Sequence, residues 1–438
     1  TKMVTLSNIL DERNLLAVCG QEMQNEGAPE IDGLRTEWLF TWLVGHWKEL
    51  QEEVKADRYR PAAVRRVEIP KPNGGIRQLG IPTVIDRMLQ QSIAQELDKY
   101  YDTTFSETSY GFRRGRSTHD ALGRAHEYLN EGYDYIVEID LEKFFDRVNH
   151  DRLMSRLSQR IADKDVLRLI RRYLTCGVME NGVKRTVTEG TPQGGPLSPI
   201  LSNIVLDELD KELEKRKLRF VRYADDISIF VGSQKAAERI LENITSWIES
   251  RLKLRVNREK SGIRRPLKGR LLGFGFWHAP GGEIRARVSE KSYTRLKEKI
   301  RKITRRNWPV SMDERIRKLM EVTRGWVNYF AHADAHKQLR RIEEWTQARL
   351  RMCIWKQWKR VRTRIVSLRK LGASEQKAYE WGNTRKGYWR VAHSPILHTT
   401  ITCERLKQKG YTPLTEMYAL RRKTLMNRRD TRPVRPGV

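Results

Sequence analysis

Residues 219–231 read RFVRYADDISIFV, and the fold turns on how this stretch is read. Aromatic and β-branched residues dominate it, as in a strand. Yet Asp225 and Asp226 stand side by side at its centre. Asp is depleted from strands, and adjacent carboxylates repel each other. A divalent cation removes that objection, because its charge makes clustered carboxylates tolerable. Neighbouring residues on a straight strand face opposite sides. Either Ala224 and Asp225 therefore form a tight turn, or only one of the two acids is a full ligand, with Asp225 the stronger and Asp226 auxiliary. A second strand-like run, YIVEIDLEKFFD (135–146), ends its apolar part on Asp140. Carboxylates from separate strands meeting at one point are what two-metal phosphoryl transfer requires. A lone Asp-Asp pair also suits an edge strand or a surface turn, so context has to decide.

Composition narrows the partners. The 438-residue chain carries 85 Lys+Arg against 55 Asp+Glu, a formal net charge of +30. Such an excess points to a polyanion, nucleic acid before an anionic membrane surface. With 39% hydrophobic residues and 12 Trp, a sizeable core is expected and global disorder is excluded. No apolar run approaches the ~20 residues that span a bilayer. The N-terminal stretch lacks a signal-peptide pattern. Cys19, Cys176, Cys353 and Cys403 are scattered, with no CxxC pair. They read as four reduced thiols of a cytoplasmic protein, with no zinc-bound nuclease signature.

Along the chain, residues 1–60 read as helices, the first capped by Ser7. VRRVEIPKPNGGIRQLGIP (64–82) reads as a hairpin around Asn73-Gly74-Gly75. Residues 83–100 show helical spacing. A helical stretch follows the Asp140 run to about 175, and TPQGGPLSP (191–199) opens a further helix. Another helix is expected near 235–253, and LKGRLLGFGFW (267–277) has room for a short hairpin. From about 290 the charge concentrates: residues 291–370 hold 24 Lys+Arg and 7 Asp+Glu, a net +17. Trp326, Tyr329, Phe330, Trp345, Trp355 and Trp358 interleave with it at helical spacing. Helices gripping a phosphate backbone fit this pattern. Trp345 and Trp355 taken singly read as core. His332 and His336 stand four apart, but without a metalloprotease glutamate they read as structural. RRKTLMNRRDTRPVRPGV (421–438) reads as a flexible basic tail.

The motifs together resemble group II intron-encoded reverse transcriptases. Tyr223-Ala224-Asp225-Asp226 is similar to the YxDD box of that family. RRVEIPKPNGGIRQLGIPTVIDRMLQQ (65–91), SYGFRRGRSTHDAL (109–122), DLEKFFDRVNH (140–150), EGTPQGGPLSPILSNIVLDELD (189–210), LKLRVNREK (252–260) and LLGFGFW (271–277) resemble its other blocks, in the expected order. The likeness runs from near residue 5 to about 420. It implies an α+β right-hand polymerase. Fingers and palm, with an antiparallel palm sheet and an N-terminal extension, would take 1–277. A basic helical thumb (the maturase X region) would take 278–360, a nucleic-acid-binding D domain 361–422, and the tail 423–438.

The resemblance also implies roles. Asp140, Asp225 and Asp226 would be catalytic and would hold two Mg²⁺ ions, or Mn²⁺ as a substitute, helped by the Leu141 carbonyl. Lys71 and Arg77 would clamp the triphosphate of the incoming dNTP, by a point charge and a forked guanidinium. Phe145 would be the steric gate against a ribose 2′-hydroxyl. Gln193 would contact the nucleotide, and Lys260 the leaving pyrophosphate. Leu272, Gly273 and Phe274 would belong to the primer grip. NEGAPEIDGL (25–34) resembles a loop laid over the template. Arg114 departs from the family, which usually has proline there, in a loop expected to face the template. Partners would be intron RNA, an RNA template, a DNA primer or target and dNTPs, with no membrane. The scattered cysteines suit the compact IIC-like branch without an endonuclease, in a bacterial cytoplasm near the nucleoid. Two other readings stay open: a splicing cofactor with little polymerase use, and a domesticated enzyme of DNA repair or phage defence.

Overall fold

A computed structural model describes residues 3–24, 39–70, 75–180, 183–191 and 194–430. The chain divides into two compact units, Thr1–Arg265 and Pro266–Val438. The division falls ahead of residue 277, where the sequence reading ends the palm. The reason is that the strands Arg270–Leu271 and Phe274–His278 pair with each other and with Ile284–Val288, downstream.

The first unit is built on two sheets. The finger sheet pairs the strands Val64–Pro70 and Ile76–Ile81 as an antiparallel hairpin, as the turn residues predict. Strands Val178–Glu180 and Val183–Arg185 complete it. The palm sheet has the order Arg219–Tyr223, Asp226–Val231, Tyr135–Ile139, Gly262–Arg264, with every neighbour antiparallel. Ile227 to Val231 are all buried. Such a continuous buried run, Ser228 included, in place of alternation means that both faces are covered. Helix Gln234–Trp247 packs on the central strand, and Ser198–Lys215 supplies Ile204, Leu206, Leu209 and Leu213 to the core. Thr5, not Ser7, caps the first helix, Leu6–Ile9: the Asn8 amide donates to Thr5 Oγ1 at 3.2 Å. Ser7 lies one residue too far along, inside that helix.

In the second unit the strand Ile284–Val288 alternates, with Ile284, Ala286 and Val288 buried and Arg285 and Arg287 exposed. Helices Glu290–Ile303, Met312–Phe330 and His336–Gln357 follow. Trp355 is fully buried, as a core reading expects, whereas Trp345 is only half-buried, with Lys297, Arg301 and Arg349 over its ring. The region from 361 on is a run of short helices closed by Leu414–Asp430, which packs back on Met312–Phe330 and His336–Gln357. Tyr418 donates to the Ala333 carbonyl at 2.8 Å, and Arg422 pairs with Asp334 at 2.9 Å. Residues 423–430 thus continue a helix where a flexible tail is expected, because packing holds its first half. Residues 431–438 lie outside the described part.

Candidate active site

The palm register assembles the site. Tyr223 pairs with Asp226, so Ala224 and Asp225 form a two-residue hairpin turn. This is the first of the two alternatives that strand parity left open, and it frees both acids from facing opposite ways. Ala224 takes φ 56°, an unfavourable value for a residue with a Cβ. On the next strand Ile139 pairs with Ile227. One step further along the antiparallel register, Asp140 stands across from Asp226. Residues 80 to 90 positions apart in sequence thereby meet at one sheet edge.

Asp140 is held from behind. Its amide donates to Ser261 Oγ at 3.0 Å, and its carbonyl accepts from the Asn257 amide at 2.9 Å. Leu141 bridges to Val256, and the Glu142 amide donates to the Arg255 carbonyl at 2.8 Å. In an antiparallel pair so bonded on either side, the Leu141 carbonyl points away from Val256.

Asp140, Asp225, Asp226, Arg77, Phe145 and Lys260 line one cleft of about 900 Å³. Lys260 Nζ lies 3.9 Å from Asp140 Oδ1 and is largely exposed. Asp226 opens to water in the cleft, yet the walls crowd its carboxyl. Lost hydration, then Asp225, Asp140 and Glu138, push its pKa up to about 6, opposed by Lys260. Among the described residues no three ligand side chains already converge tightly enough to grip an ion. What the cleft offers is a set of hard oxygens with surplus negative charge, a donor set that suits a hard divalent cation.

The other predicted residues fall as follows. Arg77 sits on the finger strand Ile76–Ile81, exposed. Phe145 is half-buried, on the short helix Phe144–Arg147 that Lys143 opens at φ 49°. The Thr191 amide donates to the Phe145 carbonyl at 2.7 Å, which ties the Pro/Gly loop to it. Lys71, Gln193 and the stretch 25–34 lie outside the described residues. Leu272 and Gly273, with φ of 53° and 86°, form a hairpin turn in the second unit. Tyr329 donates to the Leu272 carbonyl and Ser292 Oγ to that of Gly273, each at 2.9 Å. Phe274 is fully buried against Tyr329 and Phe330.

Sequence reasoning missed the brace beneath the hairpin. Arg222, fully buried, is bidentate to Asp210, also fully buried, at 2.6 and 2.7 Å. Its Nη1 donates to the Ala224 carbonyl at 2.8 Å and to Asn203 Oδ1 at 3.0 Å. Asn203 Nδ2 donates in turn to the Gly111 carbonyl at 2.9 Å. The segment 108–110 pairs with Arg222 as well: the Arg222 amide bonds the Thr108 carbonyl, and the Tyr110 amide the Arg222 carbonyl. A Cβ on Gly111 would stand 2.2 Å from the Ala224 nitrogen. The loop around Arg114 therefore braces the acidic turn through Gly111. The available signal was a charged residue inside an apolar strand, with an acid on the apolar side of the preceding helix.

Comparison with known proteins agrees. Residues 69–276 match the family model "Reverse transcriptase (RNA-dependent DNA polymerase)", and residues 293–372 match "Group II intron, maturase-specific domain". The chain belongs to the group II intron reverse transcriptase/maturase family. It is 32% identical over 281 residues to protein YkfC of Escherichia coli, covering 55% of this chain and 74% of that one. It is 30% identical over 313 residues to the group II intron-encoded protein LtrA of Lactococcus lactis, over 56% of this chain and 52% of LtrA. This family member thus spans about half the length of LtrA. A telomerase structure from Candida albicans aligns over 76% of this chain and 66% of its own, at 14% identity and a TM-score of 0.41. Among the described residues no helix is long and apolar enough to cross a membrane.

Proposed function

We propose that this family member is an RNA-directed DNA polymerase that also binds its intron RNA as a maturase, promoting splicing and retrohoming. The observation that carries the polymerase reading is the register Ile139–Ile227, which sets Asp140 beside the Asp225-Asp226 turn. Asp140, Asp225, Asp226 and the Leu141 carbonyl would hold Mg²⁺, with Mn²⁺ as a substitute. When bound, the ions activate the attacking oxygen and neutralise the leaving group. The primer 3′-oxygen attacks the α-phosphorus of the dNTP, and pyrophosphate leaves.

The chain's own groups do the rest. Arg77, with Lys71, would orient the triphosphate. Phe145 would fill the space a 2′-hydroxyl needs, and Gln193 would contact the nucleotide. Lys260, already near Asp140, would sit over the departing phosphates. Leu272, Gly273 and Phe274 would steady the primer. The intron RNA reading rests on the maturase-specific match and on the net +17 of residues 291–370. The setting would be the bacterial cytoplasm, near the nucleoid.

Primer extension on an RNA template tests the site. Asp225→Asn should slow Mg²⁺-dependent extension by roughly a thousandfold or more, the equivalent of several kcal/mol of transition-state stabilisation. RNA binding should stay near wild type. Normal extension by that variant would remove the assignment.

A further inference from the structure

Resting on that nucleic-acid-binding reading, we propose that a cleft in the second unit captures an unpaired nucleotide, holding its backbone phosphates on arginines and its base on Trp389. The cleft, of about 1060 Å³, is lined by Arg301, Arg305, Arg306, Arg349, Lys356 and Arg390, with no carboxylate among its lining residues. Several arginines elsewhere in this unit have carboxylate partners: Arg317 pairs with Glu314, Arg369 with Glu375 and Arg422 with Asp334. None of the six cleft cations has such a carboxylate partner among the described residues. Their charge is left for a ligand.

Four of these cations lie over aromatic rings. Arg306 and Lys356 lie over Tyr388, at 5.1 and 4.9 Å from the ring centre. Arg301 and Arg349 lie over Trp345, at 6.0 and 5.1 Å. Arg349 Nε also donates to Thr304 Oγ1 at 2.5 Å. Burial above all lowers the Arg349 pKa from its ordinary value, opposed by Cys353 and reinforced by Arg301 and Arg306. A cationic site held in position binds an anion at a smaller entropic cost than loose surface lysines.

Trp389 supplies the second half of the recognition. It lines the same cleft, is 42% exposed, and rests against His393 with ring centres 4.2 Å apart. An exposed indole beside a row of arginines is a stacking platform next to a phosphate track. A duplex keeps its bases stacked inside and offers the indole no face, so the ligand is single-stranded. RNA and DNA strands share this chemistry.

The test uses the full chain and two labelled probes: a decaribonucleotide of uridine carrying one 5-iodouridine, and its deoxy counterpart. Irradiation followed by mass mapping should place an adduct within residues 387–390. An adduct with both probes assigns recognition to phosphate and base alone; an adduct with one assigns the cleft to that strand. Trp389→Ala should weaken decamer binding by roughly five- to a hundredfold at an unchanged melting temperature, whereas Trp389→Phe keeps most of it. Arg390→Gln should lower the slope of log K against log salt by about 0.7. Adducts only elsewhere, or wild-type binding by a folded Trp389→Ala, overturns the cleft. If the chain retains structured intron RNA while the cleft test fails, this inference alone falls. If it retains no RNA, the maturase reading falls with it.

Discussion

Gly111 has no chemistry of its own, yet it sits where the acidic turn meets its support. A methyl there runs into the backbone of Ala224, and backbone cannot swing aside as a flexible side chain can. Gly111→Ala should therefore destabilise the chain by about 1–3 kcal/mol or more. It should also depress extension beyond what that loss explains, because the turn carrying Asp225 must move. Thermal unfolding alongside primer extension separates the two effects. Phe145 makes a complementary case. It is half-buried at the cleft wall, its backbone tied to Thr191. Truncation to alanine should raise ribonucleotide incorporation relative to deoxyribonucleotide by on the order of 10–100-fold. Unchanged discrimination would assign the ring to packing alone.

At the scale of elements, the hairpin of Arg219–Tyr223 and Asp226–Val231 presents the two adjacent acids, and it is strained at Ala224. Strain of this kind persists only where the surroundings over-determine it. Arg222 does so by tying the strand to helix Ser198–Lys215 through Asp210 and to the turn through the Ala224 carbonyl. A buried pair adds little net stability compared with apolar residues of the same size, but losing one partner leaves a bare charge. Asp210→Ala should thus cost about 3–5 kcal/mol. Arg222→Met with Asp210→Leu should recover part of that stability without recovering extension, since the turn loses its donor. Denaturant melts and kcat measured on the same pair of variants check both halves. Full activity in the double variant would mean that the brace serves folding only.

Over the whole molecule, the distribution of charge matters more than its sum. Residues 291–370 hold a net +17 of the chain's +30. Some cations of that segment are paired, as Arg317 with Glu314 and Arg340 with Glu344, while Arg301, Arg305, Arg306, Arg349 and Lys356 face an open cleft. Binding of structured RNA should fall steeply with salt, log K dropping by roughly 0.7–0.9 per phosphate contact per log unit of salt. A flat salt response, measured by filter binding, would contradict the electrostatic reading of this segment.

The sequence by itself determined the ordered blocks, the strand character on either side of the acids, the finger hairpin and the basic helical second half. These are local: period, turn chemistry and charge density need no knowledge of distant residues. Parity left two choices, a turn at Ala224-Asp225 or a single full ligand, and the strand register decided for the turn. Only tertiary structure decided that Asp140 lies across from Asp226, since register depends on which strand lies between which. It also decided that Arg222 belongs with Asp210 rather than with solvent, and that 423–430 continue a helix instead of a free tail. A charged side chain reads the same in sequence whether water or a carboxylate surrounds it; its partner is set by packing across the fold.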